Sequence, residues 1–353
     1  MDTPKHFKAT KIKYIFVGLM IILSLSGCAE KKQAELNVLN WGMYIDPTVV
    51  TDFEKEYGVK VNYDLFEQNE EMYTKVKAGG INYDIVFGGD YTFDVMRKEG
   101  LLEKIDKKNI PNYENIDKEF RNLDYDPDGE YTVPYLWGNI ALIYDPEKVD
   151  KTVDSWNILW DKDYKGEINM LDSSRFDLAM AMIRLGYSPN STDVSELTKA
   201  KDSLIEQKQY VRAYLGDDQA KDNMIAKDGS ISMIYGGEAM LAIQERPELK
   251  FVYPKEGCIL VFDAMAIPTT TQNKELAEKF LDFMCRPDIA ARNAEVVQYA
   301  TPISKARELL SDEFKNNEAI YPPEDVIKKA YTMQDLGEFN QEIDKAWTEI
   351  KSN

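Results

Sequence analysis

Residues 36–66 read LNVLNWGMYIDPTVVTDFEKEYGVKVNYDLF, and they contain the repeating unit of the fold. Leu36–Asn40 is a short apolar-rich run that ends at Trp41. Asp46-Pro47 then supplies a helix N-cap and a first-turn proline, and Gly58 supplies a stop, which predicts a helix over 47–57. Val59–Phe66 reads as a second strand. Strand, capped helix and strand in this order mark an α/β chain.

The same alternation continues outward. A helix is predicted from Glu71 to Ala78, a strand over Tyr83–Phe87 and a helix from about Thr92 to Glu99. Farther on come a strand at Glu167–Leu171 and helices at Arg175–Leu185, Val194–Gln209 and Asp217–Lys227. Ile231–Tyr235 is a strand, Glu238–Gln244 a helix, and Leu249–Tyr253 and Ile259–Ile267 are strands. Asn273 opens a helix with Leu276, Phe280, Leu281 and Met284 on one face, and Pro287 ends it. From Glu324 the chain is helical in two pieces. Such alternation predicts largely parallel sheets, in which ligands bind beyond the carboxyl ends of the strands.

Before this region stands a basic segment (Lys5, Lys8, Lys11, Lys13) and an apolar run from Tyr14 to Leu25, closed by Ser26-Gly27-Cys28. Basic, apolar and small residues in that order form a secretory signal, and the apolar part is too short to span a bilayer. The Leu-Ser-Gly-Cys ending resembles a bacterial lipobox, with Cys28 lipidated as the mature N-terminus. This predicts a signal over residues 1–27, a polar tether over 28–35 and a location on the extracytoplasmic face of the cell membrane.

The chain carries a formal charge of −19, and loss of the basic signal makes the remainder more acidic still. That disfavours nucleic acid and anionic lipid and favours small cations. The sole histidine is His6, inside the signal. Without imidazole the mature protein lacks the usual base for Ser or Cys triads and a common zinc ligand, so no metal, no cofactor and no enzymatic chemistry are expected. Cys258 and Cys285 read either as a disulfide or as two buried thiols.

Residues at strand ends form a set: Trp41 and Tyr44, Gly88-Gly89 with Tyr91, Asp172-Ser173, Tyr235 and Glu238, and Asp263 within the last strand. Aromatic faces attract an ammonium by about 0.5–2 kcal/mol, and a carboxylate adds a charge-assisted hydrogen bond. Methylenes between two ammoniums would stack on the rings at roughly 0.8 kcal/mol each. An organic cation with an apolar body fits these residue types. A phosphate loop at Gly88-Gly89 is disfavoured by Asp90, and a paired-carboxylate glycosidase using Asp172 and Asp263 is the enzyme alternative.

From about Leu36 onward the chain resembles the spermidine/putrescine-binding proteins, the extracytoplasmic components of polyamine ABC importers. The resemblance rests on Asn40-Trp41-Gly42-Met43-Tyr44, Tyr83-Asp84-Ile85-Val86, Met96-Arg97-Lys98-Glu99-Gly100-Leu101 and Val133-Pro134-Tyr135-Leu136-Trp137-Gly138. It continues through Leu185-Gly186-Tyr187-Ser188 with Asn190-Ser191, Tyr253-Pro254-Lys255-Glu256-Gly257, Phe262-Asp263 with Ala266-Ile267-Pro268, and Arg286-Pro287-Asp288.

This resemblance implies a two-lobed type II periplasmic-binding-protein fold with mixed sheets and a ligand cleft between the lobes. The lobes would comprise 36–139 with 262–307, and 140–261 with 308–353. It also implies a monomer that hands its polyamine to ABC permease and ATPase subunits. The implied ligand-binding residues are Trp41, Tyr44, Gly89, Tyr91, Ser173, Tyr235, Glu238, Asp263 and Tyr299. Ser173 and Phe176 stand where spermidine binders carry two acids, and Val261 where a Trp is common, with Asp172 and Asp177 as neighbours able to compensate. Two clearly placed acids, Glu238 and Asp263, favour a diamine such as putrescine. The alternatives are another small cationic or neutral solute, and a surface lipoprotein that does not transport.

Overall fold

The computed structural model describes residues 33–352; the signal and Cys28 lie outside the described residues. The opening unit forms as its caps dictate. Strand β1 (Glu35–Trp41) leads to helix α1 (Pro47–Tyr57), whose N-cap Asp46 accepts the Thr48 N–H at 2.8 Å. Gly58 closes the helix at φ +65°, a conformation costly for any residue with a Cβ. Val49 and Phe53 are the buried face of α1, and strand β2 (Lys60–Phe66) returns parallel to β1.

The next elements are α2 (Asn69–Ala78), β3 (Ile85–Gly89) and α3 (Asp90–Lys98). A stretch of short turns leads to β4 (Thr132–Tyr144), then β5 (Ile168–Leu171), α4 (Ser174–Arg184) and α5 (Val194–Gln207). They are followed by β6 (Val211–Leu215), α6 (Asp217–Ile225), β7 (Ile231–Tyr235), α7 (Gly236–Glu245), β8 (Lys250–Val252) and β9 (Ile259–Ala266). Helices α8 (Lys274–Met284) and α9 (Pro287–Val297), a two-residue strand β10 (Tyr331–Thr332) and α10 (Asn340–Ser352) complete the chain. The Phe53 ring meets Phe280 and Phe283 of α8 at centroid separations of 5.0 and 5.4 Å, tying the first helix to a late one.

The strands run in the order β2-β1-β3-β9-β4-β7-β5-β6, with β10 on β9 and β8 on β4. The sheet is mixed rather than largely parallel. The outer pairs are parallel, but β9 is antiparallel to both β3 and β4, and β4 is antiparallel to β7. Strand alternation could not reveal this, because β4 carries Pro134 and Gly138 in the middle of a buried run. The proline falls at a register shift between Pro134 and Leu136, where the ladder does not need its missing N–H. Gly138 is required by contact: a Cβ there would lie 2.7 Å from the Tyr299 ring.

The long β4 pairs with β9 through Thr132–Ile140 and with β7 through Ile140–Tyr144, so two strand sets share one central antiparallel ribbon. Pro287 both follows the end of α8 and occupies the first turn of α9, so the predicted stop is also a helix start. Cys258 and Cys285 are free buried thiols, which removes the disulfide reading. Burial pushes the Cys258 thiol up to about 12.

Candidate functional site

The carboxyl ends of β1, β3, β5, β6 and β7 and the middle of β9 supply the site. Trp41 closes β1, and Tyr44 follows in the turn, their rings 5.1 Å apart edge to face. Asp263 on β9 lies opposite Gly89 in the β3 pairing, and the Tyr44 hydroxyl donates to its Oδ2 at 2.5 Å. Tyr299, just beyond α9, stands edge-on to Tyr44 at 5.5 Å and donates its hydroxyl to Glu238 Oε2 at 2.9 Å. A Cβ on Gly237 would lie only 2.0 Å from the Tyr299 ring, so this glycine is what lets the phenol reach Glu238. Two carboxylates, each capped by a tyrosine, thus sit under one aromatic wall.

A second aromatic row faces them from other strand ends. Phe176 is 5 % exposed, with the Tyr91 ring 6.2 Å and the Tyr235 ring 5.9 Å away, both edge-on. Tyr91 donates to Glu70 Oε1 at 3.1 Å, which anchors its hydroxyl.

The electrostatics of the site are those of several acids desolvated close together. Burial pushes Asp263 up to about 7, with the Glu238 charge adding to the rise and the Tyr44 hydrogen bond opposing it. Glu238 is raised by burial as well, although Tyr299 holds it. Asp90, which precedes Tyr91, is lifted by burial to about 8, helped by Asp263 and opposed by the Tyr91 N–H and the Arg175 guanidinium. Asp217, the half-buried first residue of α6, is raised by its desolvation and then by Glu238, Asp218 and Asp263. Tyr44 and Tyr299 are raised well above the usual phenol range, so both stay neutral donors.

Sequence reasoning missed Asp90 and Asp217 as members of this set. Each opens a helix, where an acid is expected for the helix dipole alone, and only its place directly after a strand marks it. Ser173 was expected to line the ligand site, yet its hydroxyl accepts the Phe176 N–H at 3.4 Å as the N-cap of α4. The compensating acids do not compensate. Asp172 is held by Lys351 Nζ at 2.9 Å, and Asp177 is fully buried beside Asp172, Lys351 and Tyr214, with both carboxyl oxygens lacking a hydrogen-bond partner. Among the described residues, no group of His, Cys, Asp and Glu is arranged to hold a metal ion.

The family model for bacterial extracellular solute-binding proteins matches residues 48–322. The spermidine/putrescine-binding periplasmic protein of Salmonella typhimurium is 36% identical over 96% of this chain and 98% of its own length. Solved structures agree. One from Listeria monocytogenes gives a TM-score of 0.87 at 39% identity, covering 90% of this chain and 99% of that one. The spermidine/putrescine ABC transporter substrate-binding protein PotD from Streptococcus pneumoniae gives 0.79 at 35% identity, covering 91% and 99%. The mixed sheet with its shared β4–β9 ribbon is therefore a type II periplasmic-binding-protein fold. By sequence and by fold, the chain belongs to the bacterial extracellular solute-binding protein family.

Proposed function

We propose that this protein is an extracytoplasmic polyamine receptor that captures its ligand in the cleft and delivers it to an ABC permease with its ATPase. The observation that carries the reading is the pair of tyrosine-capped carboxylates, Asp263 with Tyr44 and Glu238 with Tyr299, beside rings packed edge to face. A carboxylate whose proton affinity is raised by burial gains most when an ammonium replaces the proton. The phenols leave the remaining lone pairs of each carboxylate for that ammonium. Methylenes lie against Trp41, Tyr44, Tyr91 and Tyr235.

The lobes are 36–139 with 262–307, and 140–261 with 308–353; the β4 pairing supports this division, because its partner changes at Ile140. Ligand closes them by hinge motion, as in other binding proteins. The receptor acts as a monomer, performs no chemistry and is held to the membrane by a lipid on Cys28. Among the described residues no helix is long and apolar enough to cross a membrane. Isothermal titration with putrescine and with spermidine tests the reading: saturable heat from at least one is expected, and no heat or thermal shift from either would refute it.

A further inference from the structure

The acids missing at Ser173 and Phe176 leave a question of charge. Asp172 and Asp177 are engaged or turned away, as described above. Asp217 is placed differently. Strand β6 runs parallel to β5 with Leu215 opposite Leu171, and Leu215 O accepts the Asp172 N–H at 2.9 Å. Gly216-Asp217 therefore leave the sheet beside Asp172-Ser173, at the same carboxyl rim. Helix α6 packs on α7 and β7, the elements that carry Glu238 and Tyr235.

The Asp217 carboxylate makes no hydrogen bond or ion pair, and Lys221 one turn on is taken by Asp218 at 2.8 Å. Its field reaches Glu238, Tyr235 and Tyr299, all residues of the candidate site. Counting charge in the cleft decides what this acid is for. Asp90 lies in the field of the buried Arg175 guanidinium, whose own hydrogen bonds go to Pro189 O, Asn190 and Gln334 O. Lys221, whose charge also reaches Glu238, is paired with Asp218, which leaves Asp263, Glu238 and Asp217 as three acids without an ion-pair partner among the described residues.

We propose that Asp217 is the third ammonium-binding residue of the cleft, and that it makes the receptor selective for a linear triamine over a diamine. The proposal rests on the polyamine reading and goes beyond it, since the two tyrosine-capped acids alone favour a diamine. In this arrangement Asp263 and Glu238 take two nitrogens near the aromatic wall, and the third ammonium lies toward the β6 rim.

Titration of the full chain and of Asp217→Asn with putrescine, spermidine and a mono-acetylated spermidine tests it. The unaltered protein is expected to bind spermidine about tenfold or more tighter than putrescine. Asp217→Asn should lose about tenfold for spermidine and less than about twofold for putrescine, as removal of one charge-assisted contact implies. Acetylation should weaken spermidine on the unaltered protein and have little effect on the variant. Glu313→Gln, which removes the same formal charge from an exposed position outside the candidate site, should leave both affinities unchanged, and Asp217→Ser guards against an effect peculiar to asparagine. An equal loss for both amines, no loss, or the same loss in Glu313→Gln would overturn the role of Asp217. Binding of neither amine by the unaltered protein would overturn the polyamine reading itself.

Discussion

Asp263→Asn should weaken ligand binding and stabilise the empty protein, and the opposite signs are the test. Asparagine keeps the shape of the side chain and can still accept the Tyr44 hydroxyl, so only the charge is removed. Asp263 is 9 % exposed, and its carboxyl rises from 3.8 to about 7. That rise corresponds to roughly 4 kcal/mol against the ionised form, an upper bound for what the neutral variant regains at pH 8. Even a quarter of it, about 1 kcal/mol, would lift the melting temperature by about 2 °C in a chain of this size. With an ammonium bound, the same charge becomes favourable. A charge-assisted hydrogen bond contributes about 1.5–3 kcal/mol, so the variant should bind about tenfold to 150-fold more weakly. Calorimetry at pH 8 reads the affinity, and thermal unfolding from pH 5 to 8 reads the stability. An unchanged dissociation constant would remove Asp263 from the site. A lower melting temperature of the empty variant at pH 8 would refute the burial argument.

The pH dependence of the unaltered protein follows from the same groups. Asp263 near 7 and Asp90 near 8 sit above the unfolded carboxyl value of 3.8, so the native state holds the extra protons between about pH 4 and 8. Stability of the empty protein should fall as pH rises through that window, while polyamine affinity should rise from pH 6 to 8 with proton release on binding. A pH-independent affinity, or no buffer-dependent heat at pH 7, would contradict this. Gly237→Ala drives a Cβ to within 2.0 Å of the Tyr299 ring and 3.0 Å of Val297 O, so the ring must leave Glu238. Binding should drop about tenfold with about 1–3 kcal/mol of stability lost, whereas Gly80→Ala, which meets nothing within 4 Å, should do neither; equal behaviour of the two would sink the contact argument. Cys28→Ser should move the protein from the membrane fraction to the medium, and retention on the membrane would exclude the lipid anchor.

Much of the site was legible because strand ends can be read without knowing how strands pair. Trp41, Tyr44, Tyr91, Tyr235, Glu238 and Asp263 all follow or interrupt runs with clear strand character, and the structure gathers them. What stayed hidden has physical causes. Strand β4 was masked by Pro134, which a register shift tolerates, and by Gly138, which the Tyr299 ring requires. The mixed sheet was masked because strand character does not fix strand direction: β9 is antiparallel to β3 as well as to β4. Helix α9 was missed because Pro287 serves two helices at once. Ser173 carries a second role that its position between strand and helix predicts: its hydroxyl caps α4 by accepting the Phe176 N–H.

The arrangement of donors and acids also argues against an inorganic cation as the ligand. Asp263 and Glu238 each receive a phenolic hydrogen bond, so their oxygens are already oriented by neutral donors rather than turned toward a common centre. A hard metal ion would need several oxygens converging on one point at about 2.0–2.6 Å, and it gains nothing from the rings between them. A chain of ammoniums has the opposite requirements. Each nitrogen needs one or two acceptors, the acceptors must be separated by the length of the methylene spacer, and the spacer needs an apolar face. Acids on β9, α7 and α6, with Trp41, Tyr44, Tyr235 and Tyr299 on neighbouring elements, supply the acceptors and the apolar faces that such a ligand calls for. The raised proton affinity of each acid then acts as selection, because only a ligand that supplies charge at every one of these positions recovers the full cost of burying them.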